Sequence, residues 1–303
     1  AYFAEVPTVL FDIQRGGPST GMPTRTQQSD ILCCAYASHG DTKHILLIPS
    51  NPTECFEFSV MAFDLADRLQ TPIIILSDLD IGMNDFTTKE FEWEDTHMFD
   101  RGKVLTKEDL DSMEKFGRYL DIDGDGIPYR TYPGTHSEKG AYFTRGSSHD
   151  EYAVYTEDGK VNARNLTRIL KKHENAAKLV PKPIIKSVNN SKGVIYFGGS
   201  DYSMIEALDE LSSDGIILDS MRIRAFPFGK EVHDFMENHD MIFVVEQNRD
   251  AQMKKLILAE ANVAPDKMIS VLCFDGMPIT AHFISTEISS YLAEKEVKEI
   301  MKK

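Results

Sequence analysis

The chain has 303 residues, 42% of them hydrophobic and 27% charged, ordinary values for a globular protein long enough to bury one large core or two smaller ones. Its formal net charge of −15 excludes a sequence-blind nucleic-acid binder, which needs a basic face, and argues against docking on an anionic membrane. The longest apolar runs, such as PIIIL, are far too short to span a bilayer, and no signal peptide is visible.

The opening, AYFAEVP, reads as the last turn of a helix running into a strand. The chain is therefore expected to be the C-terminal piece of something longer, or to have been cut. PTVLFDI (7–13), HILLIP (44–49) and PIIILSD (72–78) are short β-branched runs with polar or proline boundaries, as buried parallel strands should be. Between the last two, Phe56, Val60, Phe63 and Ala66 follow helical spacing, with Asn51 or Thr53 as the cap. Strand, helix, strand in this order predicts a right-handed parallel crossover.

From about Gly82 to Asn190 the pattern weakens. Residues 106–120 and 162–179 read as helices, and Pro and polar punctuation places a boundary near Ser191. The last third alternates again. Strands are predicted at 193–199, 216–226, 241–248 and 267–274, with helices at 201–215, 229–239, 249–263 and 280–303. Four strands with intervening helices make an open, doubly wound α/β sheet. The expected division is 1–100, a connecting segment 101–190, and 191–303.

Cys33, Cys34, Cys55 and Cys273 form no CxxC pair and read as buried free thiols in a cytoplasmic protein. No cysteine array able to hold an iron–sulfur cluster is present.

The segment QRGGPSTGMPTRTQQSD (14–30) leaves the carboxyl end of the first strand, where ligands of open α/β sheets sit. Its glycines allow close backbone approach. Arg15 offers a planar fork to a carboxylate or phosphate, and Ser19, Thr20, Thr24 and Thr26 supply small hydroxyls. The plainer reading is a tight structural turn. DIDGDG (121–126) matches half of a calcium loop through Asp121, Asp123, Asp125 and Gly126. Tyr132 stands where that loop needs glutamate, so a carboxylate-rich turn competes with a divalent-cation site. His149, Asp150 and Glu151 could form an acid–base or metal set, against a loop ordered by side-chain hydrogen bonds. FGGSDYS (197–203) is a weak phosphate cradle whose Asp201 would repel phosphate, which favours a packing turn.

DIQRGGPSTGMPTRTQQSD closely resembles the signature of the alpha subunit of 2-oxoacid:ferredoxin oxidoreductases, which are thiamine-diphosphate enzymes. AFDLADRLQTPIIILSD, IPYRTYPGTHSEKGAYFTRGSSHDEY, MRIRAFPFGKEV and FVVEQNRDAQM extend the resemblance over essentially the whole chain. It implies part of a pyrimidine-binding domain over 1–100, its N-terminal part absent, and a transketolase C-terminal-like domain over 191–303. It also implies that Arg15 approaches the carboxylate of the 2-oxoacid and that Thr24, with Ser19 and Thr20, lines the substrate pocket. Gly16 and Gly17 would lie against the cofactor. The family often carries a His-Asp-Glu like that at 149–151 near the substrate and partner chain. Its Tyr-Pro-Ile-Thr loop, and the glutamate that activates the aminopyrimidine, are not found.

The implied chemistry is oxidative decarboxylation of a 2-oxoacid, 2-oxoglutarate first, to its acyl-coenzyme A, with electrons passed to ferredoxin. Thiamine diphosphate is shared with a beta subunit, which carries the magnesium and a 4Fe-4S cluster. Branched-chain or mixed 2-oxoacids are the alternative substrates. A non-catalytic interaction protein binding a divalent cation through the Asp121 loop is the rival from another class.

Overall fold

The computed structural model describes residues 1–261 and 263–301. In chain order its elements are β1 (Thr8–Gln14), α1 (Ile31–Ala35), β2 (Ile45–Leu47), α2 (Pro52–Leu69), β3 (Pro72–Asp78), α3 (Leu79–Met83), α4 (Lys107–Ser112) and α5 (Gly159–Ala176). Then follow β4 (Ile184–Lys186), β5 (Lys192–Phe197), α6 (Asp201–Ser213), β6 (Asp219–Ile223), β7 (Ala225–Phe226), α7 (Lys230–Asn238), β8 (Met241–Glu246), α8 (Gln252–Glu260), β9 (Met268–Leu272) and α9 (Ala281–Ile300).

The strands form two sheets, ordered β1-β3-β2-β7 and β4-β6-β5-β8-β9. All pairings are parallel except β7 on β2 and β4 on β6. This is the α/β, doubly wound architecture the alternation predicts. Because side chains alternate along a strand, β3 feeds two cores. Ile74 and Leu76 pack between the sheets with Leu46, Ile195 and Phe197. Ile73 and Ile75 face the other way, onto Phe58, Leu65 and Leu69 of α2.

Asn51 caps α2 by accepting from the Glu54 N–H, with Pro52 at the first helical position. The buried stripe of α2 is Phe58, Ala62, Leu65, Ala66 and Leu69, whereas Phe63 is exposed and Phe56 stacks on Phe91. The helix is thus rolled away from the face expected through Phe56 and Phe63, because the sheet offers its apolar surface to the other row. Glu54, on the same helix, receives both arms of Arg222 (2.7 and 2.9 Å) and the Arg224 Nε (3.0 Å). That buried pair ties α2 to the segment joining the two sheets.

Several expectations need correction. β1 is an edge strand with Leu10, Phe11 and Ile13 exposed, not a buried one. The predicted strand 216–226 breaks at Arg224, and β7 crosses to the first sheet, pairing Phe226 with Leu46. The helix expected over 106–120 is only Lys107–Ser112, held by a capping box of Thr106 and Asp109. The helix expected over 249–263 starts at Gln252, after Ala251 in a left-handed conformation; its Asn262 lies outside the described residues, as do Lys302 and Lys303 of the last helix. The four cysteines are free, but Cys33 is exposed and the others are only half-buried.

Candidate functional site

β1 and β3 run in parallel to the pair Gln14–Asp78, and the glycine-rich segment leaves from that carboxyl end. It folds back on itself. The Gly16 N–H donates to the Arg25 carbonyl at 2.7 Å, and the Met22 N–H donates to the Gly16 carbonyl at 2.8 Å. Gly21 is required by close approach: a Cβ there would lie 2.9 Å from the Gly16 oxygen. Ser19 takes the left-handed conformation at the tip, with φ of 58°.

The base of this loop is pinned from both sheets. Thr26 and Gln28 donate their amides to the carbonyls of Gly276 (3.1 Å) and Gln247 (2.8 Å), and Asn248 Nδ2 donates to the Gln28 carbonyl at 3.0 Å. Gln28 Nε2 donates to Asp78 Oδ2 at 3.0 Å. The Asp78 carboxylate also accepts from the amides of Gly199 (3.0 Å) and Ile81 (3.1 Å). A Cβ on Gly199 would fall 2.8 Å from Asp78 Oδ2, so the FGGS turn is a packing turn that lets the two sheets meet.

Arg15, Ser19, Thr20 and Thr24 are all exposed on this pinned loop. The Gly16–Arg25 bond brings together the two limbs of the turn that carry Arg15 and Thr24. Among the described residues neither Arg15 nor Arg25 reaches a carboxylate within salt-bridge distance, although the chain has 48 acidic residues against 33 basic ones. Gly16 and Gly17 do not present free amides to a ligand: the first donates to Arg25 and the second to Gln27 Oε1 at 3.1 Å. They close the turn.

Thr24 and Arg25 line a cavity of about 330 Å³ together with Asp80, Asn84, Met277 and Pro278. A neighbouring cavity of about 430 Å³ shares Asp80, Asn84 and Pro278 and extends to Tyr202. Burial, and then the nearby Asp78 carboxylate, push the Asp80 carboxyl up to about 6. Sequence reading missed Arg25, Asp80 and the pinning residues Gln28, Asp78, Gln247 and Asn248. Asp78 and Asp80 were findable, because polar residues at the carboxyl end of a parallel strand face the crevice.

The other motifs are engaged mainly within their own loops, although Asp121 Oδ1 and His149 Nε2 are buried without a partner. In the Asp121 turn, Lys103 Nζ pairs with Asp123 (2.6 Å) and Asp125 (2.8 Å) and donates to the Ile127 carbonyl, while Asp121 Oδ2 accepts the Gly126 amide. Among the described residues no group of three or more His, Cys, Asp or Glu could hold a metal ion, so the three aspartates are not gathered as ligands. The turn docks on α5 through Arg168, which bonds the Gly126 carbonyl and pairs with the fully buried Glu5. Burial opposes ionisation of Glu5, but Lys172, Arg168 and Arg118 outweigh it and hold its carboxyl at about 2. His149 is buried against Phe3 and Tyr119, and Asp150 accepts the amides of Tyr152 and Val154. The His-Asp-Glu run is a hydrogen-bonded loop.

A family model described as pyruvate flavodoxin/ferredoxin oxidoreductase, thiamine diphosphate-binding, matches residues 1–139. The chain is 28% identical over 305 residues to "2-oxoacid:ferredoxin oxidoreductase 2, subunit alpha" of Aeropyrum pernix, covering 98% of this chain and 46% of the relative. It is 30% identical over 268 residues to "2-oxoglutarate synthase subunit KorA" of Methanothermobacter marburgensis, covering 82% and 64% respectively. The fold matches a solved 2-oxoglutarate:ferredoxin oxidoreductase from Magnetococcus marinus, which has 2-oxoglutarate, coenzyme A and succinyl-CoA bound. The TM-score is 0.84 at 24% identity, over 95% of this chain and 49% of that one. The chain thus spans about half the length of several proteins it matches.

Proposed function

We propose that the chain belongs to the 2-oxoacid:ferredoxin oxidoreductase alpha-subunit family, which its similarity to such proteins supports, and that it forms one wall of the substrate pocket of such an enzyme. That enzyme would oxidatively decarboxylate a 2-oxoacid, 2-oxoglutarate in the first place, to the acyl-coenzyme A and pass the electrons to ferredoxin. The observation that carries the reading is the pinned loop: a hydrogen-bonded backbone that brings the limbs holding Arg15 and Thr24 together, with an Arg15 guanidinium that has no carboxylate partner among the described residues.

In this reading Arg15 holds the carboxylate beside the reacting carbonyl in a bidentate fork, which lysine could not reproduce. That carboxylate leaves as neutral carbon dioxide, so Arg15 serves binding and orientation more than bond breaking. The Thr24 hydroxyl adds a neutral hydrogen bond in the adjoining cavity. Thiamine diphosphate, when bound, supplies the chemistry at the keto carbon. The residues present do not fit its metal–diphosphate end: the Gly16 and Gly17 amides are occupied and no metal-holding cluster is found among the described residues. We assign that end, with magnesium and the 4Fe-4S cluster, to a beta subunit. The uncovered apolar edge of β1, with Leu10, Phe11 and Ile13, supports a chain that does not work alone.

Viologen reduction tests the proposal, assayed with 2-oxoglutarate, thiamine diphosphate and coenzyme A, for this chain alone and co-purified with its beta subunit. The complex should turn over and the isolated chain should not. Turnover by the isolated chain, or a complex indifferent to every 2-oxoacid, would overturn it.

A further inference from the structure

Resting on the reading above, we infer that Arg25 is a specificity-determining residue that recognises a second, distal carboxylate, so that the pocket selects dicarboxylic 2-oxoacids. Arg25 lines the cavity of about 330 Å³ that also contains Thr24. Its backbone is clamped on both sides: the Arg25 N–H donates to the Met22 carbonyl at 3.1 Å, and the Arg25 carbonyl accepts from Gly16 at 2.7 Å. The next residue is bonded to Gly276, whose missing side chain leaves room for the Arg25 stem; a Cβ there would lie 3.0 Å from the Arg25 Cβ.

The guanidinium, by contrast, is exposed and among the described residues makes one hydrogen bond, a 3.2 Å donation to the carbonyl of neighbouring Thr24. Elsewhere in this acidic chain Arg130 pairs with Asp67, Arg168 with Glu5 and Arg222 with Glu54. A clamped arginine with most of its five donors open, facing a cavity beside a residue that lines the substrate pocket, is arranged for an anion. Arg15 already answers the carboxylate next to the keto group. A second guanidinium on the same hydrogen-bonded loop, joined to the residue after Arg15 through the Gly16–Arg25 bond, suits a molecule with a carboxylate at each end. A monocarboxylic 2-oxoacid forgoes the charged hydrogen bonds to Arg25, which gives discrimination as well as affinity.

The test is steady-state kinetics of the complex with its beta subunit, comparing wild type, Arg25→Gln and Arg25→Lys on 2-oxoglutarate and on 2-oxobutanoate. Arg25→Gln should raise the KM for 2-oxoglutarate by about 10–100-fold, the range expected for one charged hydrogen-bonding partner, with kcat nearly unchanged. It should leave 2-oxobutanoate as it was, and Arg25→Lys should recover part of the loss. A purely structural role would move both substrates together, and that result overturns the inference, as does no change for either. A wild-type complex that prefers 2-oxobutanoate also overturns it. These failures are distinct from failure of the underlying reading, in which the wild-type complex turns over no 2-oxoacid and this inference falls with it.

Discussion

The loop at 14–30 and the turn at 121–132 look alike as sequence: both are rich in glycine and charge and both follow a more regular segment. In the folded chain they differ in one respect. At the Asp121 turn Lys103 pairs with Asp123 and Asp125, Asp121 accepts a backbone amide through one of its two oxygens, and the turn is docked on α5 through Arg168. At the signature loop the backbone is answered by Gln247, Asn248 and Gly276, and the Gln28 side chain by Asp78, while the guanidinium groups of Arg15 and Arg25 are not paired with carboxylates among the described residues. A polar turn paired in this way holds structure together. A pinned loop with open charged donors is what the proposed substrate pocket requires.

The largest effect should come from the support of the structural turn. Glu5→Gln leaves Arg168 and Lys172 buried without their carboxylate, which should cost about 3–5 kcal/mol of stability at pH 7. Because the folded carboxyl sits at about 2 against 4.5 for a free glutamate, its contribution is complete above about 4.5 and is lost as the pH falls toward 2. Urea unfolding of both proteins between pH 7 and pH 2 should show the gap closing. A gap that stays constant over that range would remove Glu5 as the anchor.

Next comes Arg15→Ala in the complex with the beta subunit. It should lower kcat/KM for the 2-oxoacid by roughly 2–4 kcal/mol, mainly through KM, with circular dichroism unchanged. If kinetics stay as in the wild type, Arg15 is a turn residue and the contrast between the two loops fails.

The smallest effect should be Lys103→Met. The lysine is partly solvent-exposed, so its loss should lower Tm by on the order of 2 °C and leave kinetics alone. Calcium should not raise the Tm of the unaltered chain, since Lys103 already stands between Asp123 and Asp125. A clear calcium shift would return that turn to the candidate sites.

What was legible in the sequence was local. Short continuous apolar runs with polar or proline boundaries marked β2, β3, β5, β8 and β9, and helical spacing after an Asn51 or Thr53 cap marked α2, because runs, periods and caps are properties of a few adjacent residues. The position of the signature loop at a strand's carboxyl end was legible for the same reason. Tertiary structure decided the rest. Gln28 meets Asp78 across 50 residues, and Glu54 meets Arg222 across 168. Lys103 closes on Asp125 across 22, and the strand predicted over 216–226 divides between two sheets. No local pattern encodes which distant charge will neutralise which. That pairing depends on where the packed sheets and helices bring buried groups, since a buried charge or amide must find a partner wherever the fold offers one. For this chain, that is what separates the arginines left open from the aspartates already answered.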